Sequence, residues 1–308
     1  MKTVAAVGEQ GLIQRHRRSF TVGRHRRDVL VGIGDDTAVL RGPVSPWLLF
    51  ASDMLIEGVH FRLPRPFASP GTREDGRSLT RERLARGTVG RSGKGRGLGE
   101  VTPRQIGWKA LACNISDVAA MGGLPRYAVV SLGLPRHTSL RFVEALDAGL
   151  RACARRFAVA IVGGDTVRAP CVVVDVAIVG TVTAGRPVLR SGAKVGDRIF
   201  VTGRLGGSLT TRRHATFTPR VCEAQWLVRH LPLHAMIDLS DGLAADLWQV
   251  ARASRVTLRI NEAAIPVAAA VNTVWHALMD GEDFELLFTV AARMAQRVPR
   301  AIGRCPVT

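Results

Sequence analysis

An α/β fold in two halves, with strands and helices interleaved along both, is the architecture this sequence predicts. Three observations carry it. Short β-branched apolar runs stop again and again at Gly-Asp or Ser-Asp turns, helical stripes with three- and four-residue spacing lie between them, and loop composition separates an earlier from a later ordered stretch. The chain has 308 residues, room for two domains with a core in each. They are placed at 1–183 and 196–308, joined by a linker over 184–195 that contains Arg190-Ser191-Gly192-Ala193-Lys194.

Val29–Ile33 and Trp47–Ala51 read as strands that feed the turns Gly34-Asp35-Asp36 and Ser52-Asp53. From about 63 to 103 periodicity is lost and Arg, Gly, Ser and Pro dominate, which reads as a disordered insertion. Gly93-Lys94-Gly95 within it lacks the Ser or Thr and the leading Gly of a P-loop. A helix is expected from Ile106 towards Met121, then a strand over Tyr127–Leu134. Thr138 or Ser139 should cap a helix whose stripe is Val143, Leu146, Leu150, Cys153 and Phe157. Ala158–Val162 reads as a buried strand stopping at Gly163-Gly164-Asp165-Thr166, and Cys171–Val182 as another strand. The second half restarts with a strand over Arg198–Thr202 and a Gly-rich turn, Gly203 to Ser208, of a kind that can aim backbone N–H groups at an anion or be a plain tight turn. Ser240 is expected to cap a helix through about Ala253, and Asp280 to Glu285 to lead into a strand over Leu286–Val290.

Composition bounds the function. The apolar fraction is 46% and the mean hydropathy +0.12, as expected of a folded protein. No apolar run approaches the roughly 18 residues of a membrane span, and the N-terminus has no signal-like core, so a cytoplasmic location with no membrane partner is expected. The five cysteines, Cys113, Cys153, Cys171, Cys222 and Cys305, are scattered and unpaired in pattern, which suits reduced and mostly buried thiols. The net charge is +18, with Arg-rich stretches over Arg15–Arg27 and Arg62–Arg104. That field attracts polyanions of any kind. One Tyr and no aromatic residues alternating with the basic ones argue against nucleic acid as the partner.

Against this basic background the carboxylates are placed selectively: those of Gly34-Asp35-Asp36, Ser52-Asp53, Ser116-Asp117, Gly164-Asp165 and Asp238-Leu239-Ser240-Asp241 stand where an apolar run ends at a turn with Gly or Ser. Hard oxygen ligands of this type suit Mg²⁺ carrying a substrate's phosphates. Each alone could be an ordinary N-cap, but repetition of the same grammar favours one distributed metal–phosphate site. Phosphoryl transfer needs charge neutralisation and alignment rather than covalent chemistry, and the chain offers no credible nucleophile. His60, just beyond the Ser52-Asp53 turn, is the histidine best placed to touch a substrate.

The stretches GIGDDTAVL, SDMLIEGVHF, WKALACNISDVAAMGG, VGGDT, LRSGAK-GD, IDLSDGLAADL and DGEDFELLF follow one another here as they do in thiamine-monophosphate kinases. The chain therefore resembles that family, within the superfamily of aminoimidazole ribonucleotide synthetase and selenophosphate synthetase. The resemblance implies a two-domain fold of that superfamily, whose N-terminal sheets pair in a homodimer to form a barrel, followed by a C-terminal α/β domain. It implies ATP-dependent phosphorylation of thiamine monophosphate to thiamine diphosphate, with several Mg²⁺ ions and no catalytic nucleophile or general base. Carried over residue by residue, the metal positions fall on Asp36, Ser52, Asp53, Asp117, Asp165, Asp238 and Asp241. The ATP contacts fall on Arg190 and Ser240, with Asp117 beside them, and the thiamine monophosphate contacts on His60 and Glu282. The insertion, a short stretch between Ser208 and His234, and the end at Thr308 depart from the family pattern, and the family's aromatic contact to thiamine, expected in the segment after Thr308, is not assigned to a residue here. The competing readings are another ATP-using or catalytically weak superfamily member, or a basic protein binding nucleic acid through the Arg-rich insertion.

Overall fold

In the computed structural model of the protein, the described residues are 11, 13–15, 28–42, 47–64, 67, 99–182 and 185–308. The predicted disordered insertion lies almost wholly outside them. The first half is built on a six-stranded sheet with the order β1-β2-β3-β6-β4-β5. These strands are β1 (Val29–Val31), β2 (Ala38–Leu40), β3 (Trp47–Ile56), β4 (Leu124–Leu134), β5 (Ala160–Arg168) and β6 (Val173–Val182). Every pairing is antiparallel except β4 with β5, which a helix joins, as a parallel pair requires.

Of two helices, α1 (Pro103–Ala120) and α2 (Leu140–Phe157), α1 packs on one face of this sheet and α2 packs against α1. Thr102 caps α1, its Oγ1 accepting from the Gln105 N–H while the Gln105 side chain accepts from the Thr102 N–H. This capping box satisfies two N-terminal donors and starts the helix before Ile106. Ser139 caps α2 by accepting from the Phe142 N–H at 3.2 Å. The two helices touch through glycines: a Cβ on Gly107 would stand 2.0 Å from the Leu146 carbonyl O, and one on Gly149 1.9 Å from that of Arg104. Only residues without a side chain permit that approach.

α1 is apolar on nearly every side and is buried to match. One side packs on Leu49, Leu55, Val174, Val176 and Ile178 of the sheet, and another meets the second half. Each fully buried Leu or Ile in such a layer contributes about 1.5–3 kcal/mol. The opposite face of the sheet is open, with Phe50, Met54, Tyr127 and Val129 exposed. β5 was expected to be buried and to end before Gly163; instead it runs on through Gly163-Gly164-Asp165 and every residue in it is exposed. It is the sheet's edge, so apolar composition alone could not bury it.

The second half holds a three-stranded antiparallel sheet, β7-β9-β8, made of β7 (Arg198–Val201), β8 (Leu233–Asp238) and β9 (Leu286–Val290). Helices α3 (Val221–His230), α4 (Leu243–Ser254) and α5 (Val274–Met279) and the terminal hairpin β10 (Ala301–Ile302) with β11 (Cys305–Pro306) complete it. Ser240 does not cap α4. The N-cap is Gly242, at φ +103° and without a side-chain cap. Cys113, Cys153 and Cys305 are buried and all five thiols are free. No helix among the described residues is long and apolar enough to cross a membrane.

Candidate active site

The selectively placed carboxylates converge where α1 meets the second half. Asp36, from the turn after β1, Asp117, from the last turn of α1, and Asp238, at the end of β8, bring ligand oxygens within 4.8 Å of one another. Asp36 and Asp238 are buried. Burial comes first among the causes that raise the pKa values of all three, followed at Asp117 and Asp238 by neighbouring carboxylates; the Asp238 value reaches about 7. Asp53, on the α1-facing side of β3, is within hydrogen-bond reach of Asp117, and burial raises its pKa too. The Arg190 charge offsets only part of this crowding, and one Asp36 oxygen, Oδ2, is buried with no hydrogen-bond partner. That is the donor set and the vacant lone pair a hard divalent cation would satisfy.

Two side chains hold these carboxylates in place. Ser116 Oγ donates to Asp238 Oδ2 at 2.6 Å, across the junction between the halves. The Arg190 guanidinium grips Asp36 Oδ1 through Nε, at 3.0 Å, and through a second nitrogen, and also donates to Gln249 of α4. Gln249 in turn donates to Asp246, whose other oxygen accepts the Asp241 N–H at 3.1 Å. Asp35 takes a different part: its carboxylate accepts the Arg190 backbone N–H, and burial, then the Asp36 charge, pushes its pKa up to about 7. The pair thus divides, with Asp36 in the trio and Asp35 anchoring the linker.

The remaining predicted residues fall in different places. Ser52 alternates to the open face of the sheet, where its hydroxyl donates to Asp175 at 3.1 Å, so only its neighbour Asp53 faces the trio. Asp165 is on the open edge strand, its Oδ1 accepting the Thr166 N–H. The register runs from Met54 through Asp175 and Ser131 to Asp165. Three strand spacings of about 4.8 Å put Asp165 roughly 14 Å from β3. Asp241 is exposed and outside the trio, though its charge raises the pKa values of Asp246 and Glu282. Ser240 gives its carbonyl to the Glu282 N–H at 2.7 Å, which lays the Asp238–Asp241 turn against the Glu282 turn.

About two turns nearer the start of α1 lies a second group. His60 Nδ1 accepts the Ile56 N–H at 3.0 Å, which places its proton on Nε2. Burial, then the charge of Lys109, lowers its pKa, so the ring is a neutral donor. Glu282, at φ +58°, forms an ion pair of 2.6 Å with buried Lys109. The Gly-rich turn does aim N–H groups at anions, but the anions are the chain's own: Gly206 donates to Asp283 and Gly207 to Asp280. Sequence reasoning missed Lys109, Ser116, Asp246 and Gln249. A lysine inside an otherwise apolar helix pattern was the available signal for the first.

Residues 87–182 match the family described as "AIR synthase related protein, N-terminal domain". Over 94% of its length the chain is 35% identical to a thiamine-monophosphate kinase of Rhodopirellula baltica, spanning 86% of that protein. A thiamine-monophosphate kinase of Bacillus subtilis is 32% identical, with 87% and 79% covered. Among solved structures, "AaThiL complexed with AMPPCP and TMP" superposes with a TM-score of 0.74 at 28% identity, over 95% of this chain and 88% of that one.

Proposed function

The chain belongs to the thiamine-monophosphate kinase family, and from its site we propose how it transfers the γ-phosphoryl group of ATP to the phosphate of thiamine monophosphate, giving thiamine diphosphate and ADP. The observation that carries the proposal is the carboxylate trio assembled from three distant segments, Asp36, Asp117 and Asp238. Together with Asp53 these residues would hold Mg²⁺. Bound there, the metal supplies the positive charge that lets two anionic phosphates approach and that neutralises the charge developing in transfer.

The chain's own groups do the rest. The acceptor is a phosphate whose second pKa is about 6, so it is ionised at neutral pH and no residue must remove a proton. Arg190, on the linker, is placed to exchange its Asp36 contact for phosphate oxygens of ATP, and Ser240 lies on the adjoining turn. His60, a neutral N–H donor, suits an acceptor phosphate oxygen, and Glu282 suits the cationic, amine-bearing thiamine moiety. AaThiL, the solved relative, is held with the ATP analogue AMPPCP and TMP, one ligand of each kind required.

A homodimer is part of the same reading. The exposed apolar residues Phe50, Met54, Tyr127 and Val129 and the open edge β5 form one continuous sheet surface, a combination a single chain normally covers. Asp165 and Ser52 lie on that surface, where pairing of two chains would enclose them. Division into domains at 1–183 and 196–308 is supported by the two separate sheets and the irregular stretch between them, and a cytoplasmic location suits an enzyme that consumes ATP. The test is turnover with purified protein, ATP, Mg²⁺ and a panel of thiamine monophosphate, free thiamine and selenide. ADP should form with thiamine monophosphate alone. Folded protein that releases no ADP with it refutes the proposal.

A further inference from the structure

Lys109 is the most deeply buried cation among the described residues, with a relative exposure of 1%. A lysine almost never enters a core unless paired, and burying its charge is costly without close partners. Three groups surround its ammonium, two in hydrogen bonds and one in an ion pair. Nζ meets the His60 carbonyl O at 3.2 Å, His214 Nδ1 at 3.2 Å and Glu282 Oε2 at 2.6 Å. The three come from widely separated segments: the turn after β3, the loop before α3, and the strained turn ahead of β9. Two of them, His60 and Glu282, are the residues assigned above to the thiamine monophosphate contacts. The third, His214, is itself buried and, with Nδ1 accepting from the ammonium, carries its proton on Nε2.

We propose that Lys109 is a positioning residue for the phosphoryl acceptor: it fixes the His60 and Glu282 segments together as one binding surface at a set distance from the metal trio. This rests on the kinase reading of the preceding subsection. α1 provides the spacing. Lys109 and Asp117 are eight residues apart, slightly more than two turns, so about 12 Å of helix rise separates the acceptor-holding end from the metal-holding end. A lysine suits this junction better than an arginine. The acceptors converge on a single point from three directions, which a compact ammonium can serve and a planar guanidinium fork cannot.

Glu282 also sits at φ +58°, in the left-handed region that few non-glycine residues adopt. The Glu282 N–H bond to the Ser240 carbonyl and the ion pair to Lys109 hold the turn there from both sides. Release of the lysine should let the turn relax, carrying the carboxylate away from His60, while Asp36, Asp117 and Asp238 stay in place. The effect therefore falls on one substrate and not the other.

The test is steady-state kinetics on Lys109→Met, Glu282→Gln and the double variant, with both substrates varied. Each single variant is expected to raise KM for thiamine monophosphate about tenfold or more, with KM for ATP within twofold of wild type. The double variant should be no worse than Glu282→Gln alone, because the two residues act as a unit. An unchanged KM for thiamine monophosphate in Lys109→Met, an equal rise in the KM for ATP, or a multiplicative loss in the double variant overturns the proposal. If Lys109→Met does not accumulate as folded protein, Lys109→Arg replaces it, with the same selective rise expected and a wild-type KM refuting. Wild-type protein that does not phosphorylate thiamine monophosphate at all refutes the kinase reading instead, so the two failures are distinct.

Discussion

Replacing Asp238 by Asn tests the trio through its electrostatics. The ligand oxygens of Asp36, Asp117 and Asp238 lie within 4.8 Å of one another. At an effective dielectric of about 20, each ionised pair then repels by at least roughly 3.5 kcal/mol. Without a cation the three carboxylates are therefore not all ionised, in keeping with the raised pKa values and about 7 for Asp238. An unfolded Asp titrates near 3.8, so between about pH 4 and 7 the folded state binds the extra proton. Stability of the metal-free protein must then fall as pH rises through that window, by up to about 4 kcal/mol for this one group. A bound divalent cation reverses the sign, since it prefers the ionised trio. The thermal shift given by Mg²⁺ over EDTA should accordingly be larger at about pH 8 than at about pH 6. Asp238→Asn should raise the melting temperature of the metal-free protein at the higher pH and lose most of the Mg²⁺ shift. A shift that shrinks with rising pH, or survives in full in Asp238→Asn, refutes the reasoning.

Other outcomes follow from the same geometry. Asp117→Asn should lower kcat by at least about 100-fold while leaving the melting temperature of the metal-free protein no lower than that of wild type; a wild-type rate would remove that carboxylate from metal binding. Ser116→Ala removes the 2.6 Å bond to Asp238 and should cost about 1.5–3 kcal/mol in chemical denaturation, with weakened Mg²⁺ affinity. Gly107→Ala forces a methyl to within 2.0 Å of a carbonyl oxygen in α2 and should destabilise by about 1–3 kcal/mol or more, read in the same denaturation assay. Arg220→Ala strips Nε and a second nitrogen from buried Glu285 and should cost about 1.5–3 kcal/mol, since Arg213 and the Thr202 hydroxyl still hold that carboxylate.

What could be read from the sequence was what is local. Asp36, Asp117 and Asp238 were legible because each ends an element, and strand ends and helix termini announce themselves in apolar runs and small residues. The cap on α4 was misread for a local reason: the Asp241 N–H is taken by the Asp246 carboxylate and Gly242 turns at positive φ, so the helix begins three residues after Ser240. β5 was misread for a global one, since nothing in Ala158–Val162 says that the strand will be an edge. Lys109 left only the trace of a lysine inside an apolar helix pattern, because its partners lie at residues 60, 214 and 282, which only the fold brings together.

α1 has a consequence for how the molecule comes apart. A helix buried on nearly every side, between the sheet of the first half and β8 and α3 of the second, has no face left over for water if either half is lost. Removal of the second half would expose an apolar flank of α1 together with the uncompensated charge of Lys109. The two halves are therefore one cooperative unit, and the site at their junction persists only while both are folded. Loss of the acceptor surface and loss of the metal trio are then the same thermodynamic event.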